Sequence, residues 1–239
     1  MPEFVITSSQ LFRVTSAVSS LVLVALSIAT FYKTGHAFKS IAVHFPADTY
    51  PWYGPQLSWP PKSYRVPLDY DWRTENYLFV AAGTSIVAGI LGLVHIGLSA
   101  KNDPTKQTSL GSKVVFFTTA FFTLSASIAT LVSTIAVNVI HASVERSTCH
   151  LTLGGYPGGR FKCTRELAVC HIVPFLLWRD QDEAWKDCQD TRMSREMLYP
   201  LLAFSWVLVG VYGLRIWMDR KGESYLSAEE RVERLRQEE

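Results

Sequence analysis

The chain has 239 residues, 48% of them hydrophobic and 18% charged, with a formal net charge of +2. It is too apolar for a disordered polymer and too evenly charged for a polybasic binder, so nucleic acid is not an expected partner. The averages would suit a soluble domain, but the charges are unevenly placed. Lys, Arg, Asp and Glu are missing from Val14–Tyr32, Tyr77–Ala100, Val114–Val144 and Met197–Leu214.

A bilayer's hydrocarbon core is ~30 Å thick and takes about 20 mostly apolar residues of helix to cross. Residues 1–13 therefore form a short tail, and residues 14–32 the first span, held between Arg13 and Lys33. A cleaved leader is the competing reading, with Ser27-Ile28-Ala29 as a small-x-small site; the mature N-terminus separates the two. The loop 33–76 carries six of the eleven prolines and three of the seven tryptophans. Proline removes backbone donors, so extended segments and turns are expected here, with little helix. Trp52, Tyr53, Trp59 and Tyr64 make a candidate recognition patch; packing on the other loop or on the bilayer is the plainer role.

Residues 77–100 form the second span, where Ser85, Gly89 and Gly92 are the positions expected to let a neighbouring helix approach closely. The short loop 101–113 has three lysines against one aspartate, the bias of a cytoplasmic loop. The third span, 114–142, is rich in Ser and Thr. The loop 143–196 contains every cysteine: Cys149, Cys163, Cys170 and Cys188. An even number confined to one long loop predicts two disulfides on an oxidising face, with three possible pairings. Within that loop Leu167, Cys170, Val173 or Pro174, and Leu177 share a helical face that Pro174 should end or kink; a charged helix follows over Asp180–Met197. Residues 197–218 form the fourth span if Arg215 snorkels. The tail 219–239 begins a short charged helix at the capping-box pair Ser227 and Glu230.

These segments predict an all-α membrane protein: a four-helix transmembrane bundle with two extracytoplasmic loops, the second disulfide-bonded and partly helical. Both termini are expected in the cytoplasm, in the plasma membrane or a secretory-pathway membrane. Tyr32, Tyr77, Tyr199 and Trp217 stand near span ends, where amphipathic rings favour the headgroup layer. No Asn-x-Ser/Thr sequon occurs.

Catalytic and cofactor chemistry finds little footing. Cys149-His150 and Cys170-His171 repeat a zinc-compatible pair, but without a short C-x2-C or H-x3-H unit, so no metal is expected. His95 and His141 are the intramembrane candidates for a haem. The second and third spans run in opposite directions, which puts them near opposite faces, so no cofactor is expected. Arg160, Lys162 and Arg165 read as a solvated charge run.

The layout resembles the tetraspan families, namely MARVEL-type, claudin-like and tetraspanin proteins, across residues 14–218. The Cys-Cys-Gly signature of tetraspanins and the Trp-Cys-Cys signature of claudin-like proteins are absent, so the resemblance is topological. It implies a non-enzymatic membrane-domain organiser or accessory subunit, with the lipid bilayer and other membrane proteins, or further copies of the chain, as partners. An oligomeric channel or transporter subunit is the second expectation, and a membrane-embedded lipid or thiol enzyme the third.

Overall fold

The computed structural model describes residues 8–53, 63–101, 110–147, 149, 161–176 and 181–237. Eleven segments follow in chain order. They are α1 (Ser8–His44), β1 (Thr49–Tyr53), β2 (Ser63–Tyr70), α2 (Arg73–Lys101), α3 (Leu110–Ser147) and β3 (Phe161–Cys163). Then come α4 (Arg165–Leu167), a π-helical turn (Ala168–Ile172), α5 (Val173–Leu176), α6 (Gln181–Glu196) and α7 (Leu198–Gln237).

Helices α1, α2, α3 and α7 are long and apolar enough to cross a membrane. They pack in a ring, α1 on α2, α2 on α3, α3 on α7 and α7 back on α1. Large apolar side chains cover the outside: Val14, Leu21 and Ile28 on α1, Val80 and Ile90 on α2, Phe117 and Phe121 on α3, Val207 and Leu214 on α7. Small and hydroxylated residues turn inward instead, including Ser16, Ser20, Ser85, Thr123 and Ser127. That inversion suits an apolar solvent, where close packing and hydrogen bonds, rather than burial of oil, hold helices together. Tyr32, Tyr199 and Trp217 are exposed, and Tyr77 is half-buried.

Glycine decides how closely α1 and α2 approach. A Cβ added at Gly89 would stand 2.6 Å from Val24 Cγ2 and 3.1 Å from the Ser20 carbonyl oxygen, and one at Gly92 would collide with the Ser20 hydroxyl. Gly83 and Gly97 have open space at the same position. Gly92→Val is accordingly expected to destabilise the bundle by about 1–3 kcal/mol by overpacking. Gly97→Val should leave its thermal denaturation in detergent almost unchanged.

On α3 five hydroxyls line one buried stripe. Thr119, Thr123, Ser127, Thr130 and Thr134 each donate to the carbonyl four residues earlier, at 2.7–2.9 Å. Thr118 is exposed and Ser125 half-buried, off this stripe. Ser85 meets Thr130 across the α2–α3 seam at 3.4 Å.

The all-α expectation needs a correction, because the two loops between the long helices are tied by a three-stranded sheet, β1-β2-β3. β1 and β2 are an antiparallel hairpin in which Trp52 stands opposite Tyr64 and Tyr53 opposite Ser63; β3 adds in parallel, Leu68 opposite Phe161. The β-rich composition of Ser-Tyr-Arg-Val-Pro-Leu-Asp-Tyr favours a strand, and Pro67, with no N–H to give, pairs at the hairpin's end.

α1 and α3 continue well past the charge-free stretches, to His44 and Ser147. Ala37 and Ile41 on α1, and Phe45 just past its end, recur every four residues and are buried with Val66, Leu68, Val144, Phe161, Leu167, Val169 and Ile172. A second hydrophobic core therefore sits on top of the bundle, and the helix extensions are its walls. We call this body the cap: the sheet, α4–α6 and the ends of α1 and α3.

Pro174 does not end the helical run. It lies in α5, and the turn before it widens into a π-helix, with Val173 N–H donating to Ala168 O. A wider turn accommodates the ring and the missing donor of a proline inside a helix. Leu177 lies outside the described residues.

Candidate functional site

The four cysteines close two disulfides, Cys149–Cys163 and Cys170–Cys188, with Cα atoms 5.1 and 5.0 Å apart. The first ties the end of α3 to β3, and the second ties the π-turn to α6. None of the four cysteines is a free thiol. Among the described residues no cluster of three or more His, Cys, Asp and Glu is placed to hold a metal ion.

Where the cap meets the bundle, charged side chains are packed between helix ends. Arg165 Nη1 lies 3.0 Å from Glu75 Oε1, with side chains only 11% and 10% exposed. The Arg165 guanidinium also lies over the Phe38 ring, 4.1 Å from its centroid, and 5.3 Å from that of Tyr70. Beside it Glu166 receives both nitrogen arms of Arg195, Nε at 2.9 Å and Nη2 at 2.8 Å. His141 Nε2 approaches the same carboxylate at 3.5 Å. Burial opposes the Glu166 charge, but the His141 hydrogen bond and the Arg195 guanidinium outweigh it, so the carboxyl sits below the ordinary glutamate range.

Local sequence places each group. Thr164 caps α4, its hydroxyl accepting from Leu167 N at 3.3 Å, and so sets Arg165 and Glu166 in the first turn. Asp71 accepts from Arg73 N at 3.2 Å and donates its own N–H to Cys163 O at 2.8 Å, which joins the start of α2 to β3. The hydrogen bond and charge of Arg73, against a smaller opposing effect of burial, hold the Asp71 carboxyl below its ordinary value. Tyr70 donates to Phe45 O at 2.7 Å, and burial pushes its phenol well above the usual range.

Between these pairs lies a cavity of about 20 Å3, lined by Thr34, Phe38, Thr74, Glu75, Arg165 and Ser194 among others. Thr74 Oγ1, Glu75 Oε2 and Arg165 Nε are buried there without a hydrogen-bond partner among the described residues. A void of that size holds roughly one water, and a water can accept from Arg165 while donating to Glu75. A high-resolution experimental structure is expected to show an ordered water within 3.2 Å of at least two of these three atoms. A dry cavity would contradict that expectation.

The positions singled out by sequence fall apart in space. Trp52, Tyr53 and Tyr64 lie on the β1–β2 hairpin, and Trp59 is outside the described residues. Ser85, Gly89 and Gly92 lie along the α2 seams. His95 meets the Tyr212 hydroxyl at 3.4 Å and packs on Phe116, whereas His141 touches Glu166 under the cap, so the two histidines sit at opposite ends of the bundle. Arg165 is buried and paired rather than part of a solvated run, while Lys162 is exposed. The ion-pair cluster had no sequence signature: Glu75, Glu166 and Arg195 stand in charged neighbourhoods where solvation is the ordinary expectation.

The chain matches no known protein family, no curated protein and no solved structure.

Proposed function

We propose that this chain is a non-enzymatic four-span membrane protein, with both termini in the cytoplasm, that organises or accompanies other membrane proteins by lateral association. The observation that carries this reading is the division of labour between its surfaces. The bundle exposes large apolar side chains on all four helices while the hydroxyl stripe of α3 is buried and bonded to its own helix. On top stands a cap braced by two disulfides and a buried ion-pair network. Such a body presents a fixed outer surface and a lipid-compatible flank, which suits holding partners rather than turning over a substrate.

Cross-linking in native membrane followed by affinity purification tests the proposal. Reproducible recovery of other integral membrane proteins, or of a defined homo-oligomer, supports it. A second reading, a channel or transporter subunit, draws on the hydroxyl stripe of α3. Those hydroxyls spend their protons on backbone carbonyls four residues back, which argues for helix packing over a conducting path. Ion or solute flux through liposomes holding only the purified chain would replace the first reading with the second.

A further inference from the structure

The end of α1 and the length of α6 run side by side in opposite directions, and they are joined by an ordered ladder of polar contacts. Lys33 Nζ meets Asp190 Oδ1 at 2.6 Å, and His36 Nδ1 stands 3.4 Å from Asp190 Oδ2. One turn on, Ser40 donates to Asp187 Oδ2 at 2.9 Å, and at the far end His44 Nε2 stands 3.6 Å from Glu183 Oε2. Residues 33, 36, 40 and 44 share one face of α1, and 190, 187 and 183 share the facing side of α6.

The charges on this ladder do not balance while its histidines are neutral. Asp190, Asp187 and Glu183 face one fixed cation, Lys33. Protonating His36 and His44 raises the cations to three and closes the balance. Histidine is the side chain that ordinarily gains its proton between pH 8 and 5. Burial raises the Asp187 carboxyl above its ordinary value, against the Ser40 hydrogen bond and the two histidines, and Tyr70 of β2 faces it. Around the histidines, Ser40 lies 3.3 Å from His44 Nδ1, Tyr32 stacks on His36, Phe45 lies beside His44, and Lys39 and Lys186 are exposed on the same two helices.

We propose that the His36–His44 ladder is a proton-operated clamp that fastens α6, and with it the cap, onto the end of the first long helix as the surroundings acidify. α6 is a suitable moving part. Beside the cap core that Ala184 and Cys188 share with Ala37 and Ile41, its link to α1 is this polar ladder, partly exposed at both histidines, and Cys188 binds it to the π-turn so that its motion is the motion of the cap's second half.

The test is hydrogen–deuterium exchange of residues 181–196 in the full-length protein in lipid nanodiscs, at pH 7.5 and 5.5, corrected for intrinsic exchange. Wild type is expected to gain roughly threefold to tenfold protection at pH 5.5, the size expected for two partly exposed ion pairs. In His36→Gln/His44→Gln the gain should vanish. In His36→Lys/His44→Lys the protected level should already be reached at pH 7.5 and change little on acidification. A wild-type protein with no pH dependence, or a Gln variant that keeps the full gain, overturns the proposal. If either variant fails to fold, the single substitutions His36→Gln and His44→Gln, each expected to remove about half the logarithmic gain, decide it in the same way.

Discussion

Removing the Arg195 guanidinium, as in Arg195→Ala, is expected to destabilise the protein by about 3–5 kcal/mol, more than any surface substitution. The reason lies in what stays behind. Glu166 is 9% exposed and receives two charge-assisted hydrogen bonds from Arg195, so the truncation leaves a carboxylate buried with His141 alone beside it. Replacing both partners by apolar groups of similar volume, Glu166→Leu with Arg195→Met, should restore most of the loss, because neither charge is then stranded. A double-mutant cycle on thermal or denaturant unfolding in detergent measures the coupling. If the double variant were as unstable as Arg195→Ala, the loss would come from packing and not from a stranded charge.

The same pair gives stability a direction in pH. The Glu166 carboxyl is held below its ordinary value of 4.5 in the folded protein. The unfolded chain therefore binds the proton first as pH falls, and the contribution of the pair is complete above that ordinary value. It drains away as pH drops through the lower, folded value. Glu166→Gln should flatten this acid limb, and a titration of unfolding midpoint from pH 6 downwards reads the difference.

The second large effect is on the cap. Opening Cys170–Cys188 frees a loop of 18 residues and opening Cys149–Cys163 one of 14, each worth about 3 kcal/mol on the chain-entropy account. The cap core is small, built on α6, two short helical turns, the ends of α1 and α3 and three short strands, so it depends on such staples. Cys170→Ala/Cys188→Ala is expected to release α6 and the π-turn to proteolysis while the four long helices stay folded. They are held by a separate core of Leu23, Ala88, Ala126, Leu201 and Leu208. Limited proteolysis with mass mapping distinguishes the two regions; cleavage spread evenly along the chain would show that cap and bundle unfold together.

Much of this architecture is legible in the order of residues. Charge-free stretches mark four long helices because a peptide's preference for an apolar solvent is a local, additive property of its side chains. Confinement of every cysteine to one loop likewise announces disulfides, since cysteine chemistry follows the compartment. Gly92 stands in the sequence as one of several glycines of the second span. Glycine removes a side chain whatever stands opposite, although Gly83 and Gly97 share that chemistry and meet nothing.

Other features appear only when distant segments meet. That Cys149 pairs with Cys163, that β3 joins β2 to bridge two loops, and that Ala37, Ile41 and Phe45 bury themselves in a cap core rather than in lipid are facts of mutual placement. The charged site shows the limit most sharply. Glu75, Arg165, Glu166 and Arg195 each look like solvated residues in their own neighbourhoods, and burial of any one alone would be prohibitive. Only in the folded chain does each bring the other's counter-charge. By itself the sequence determined which parts prefer oil and which single loop holds all the cysteines, because those are properties of single segments. The tertiary structure decided the ion pairs, the sheet and the polar ladder between α1 and α6, because their energies exist only between segments.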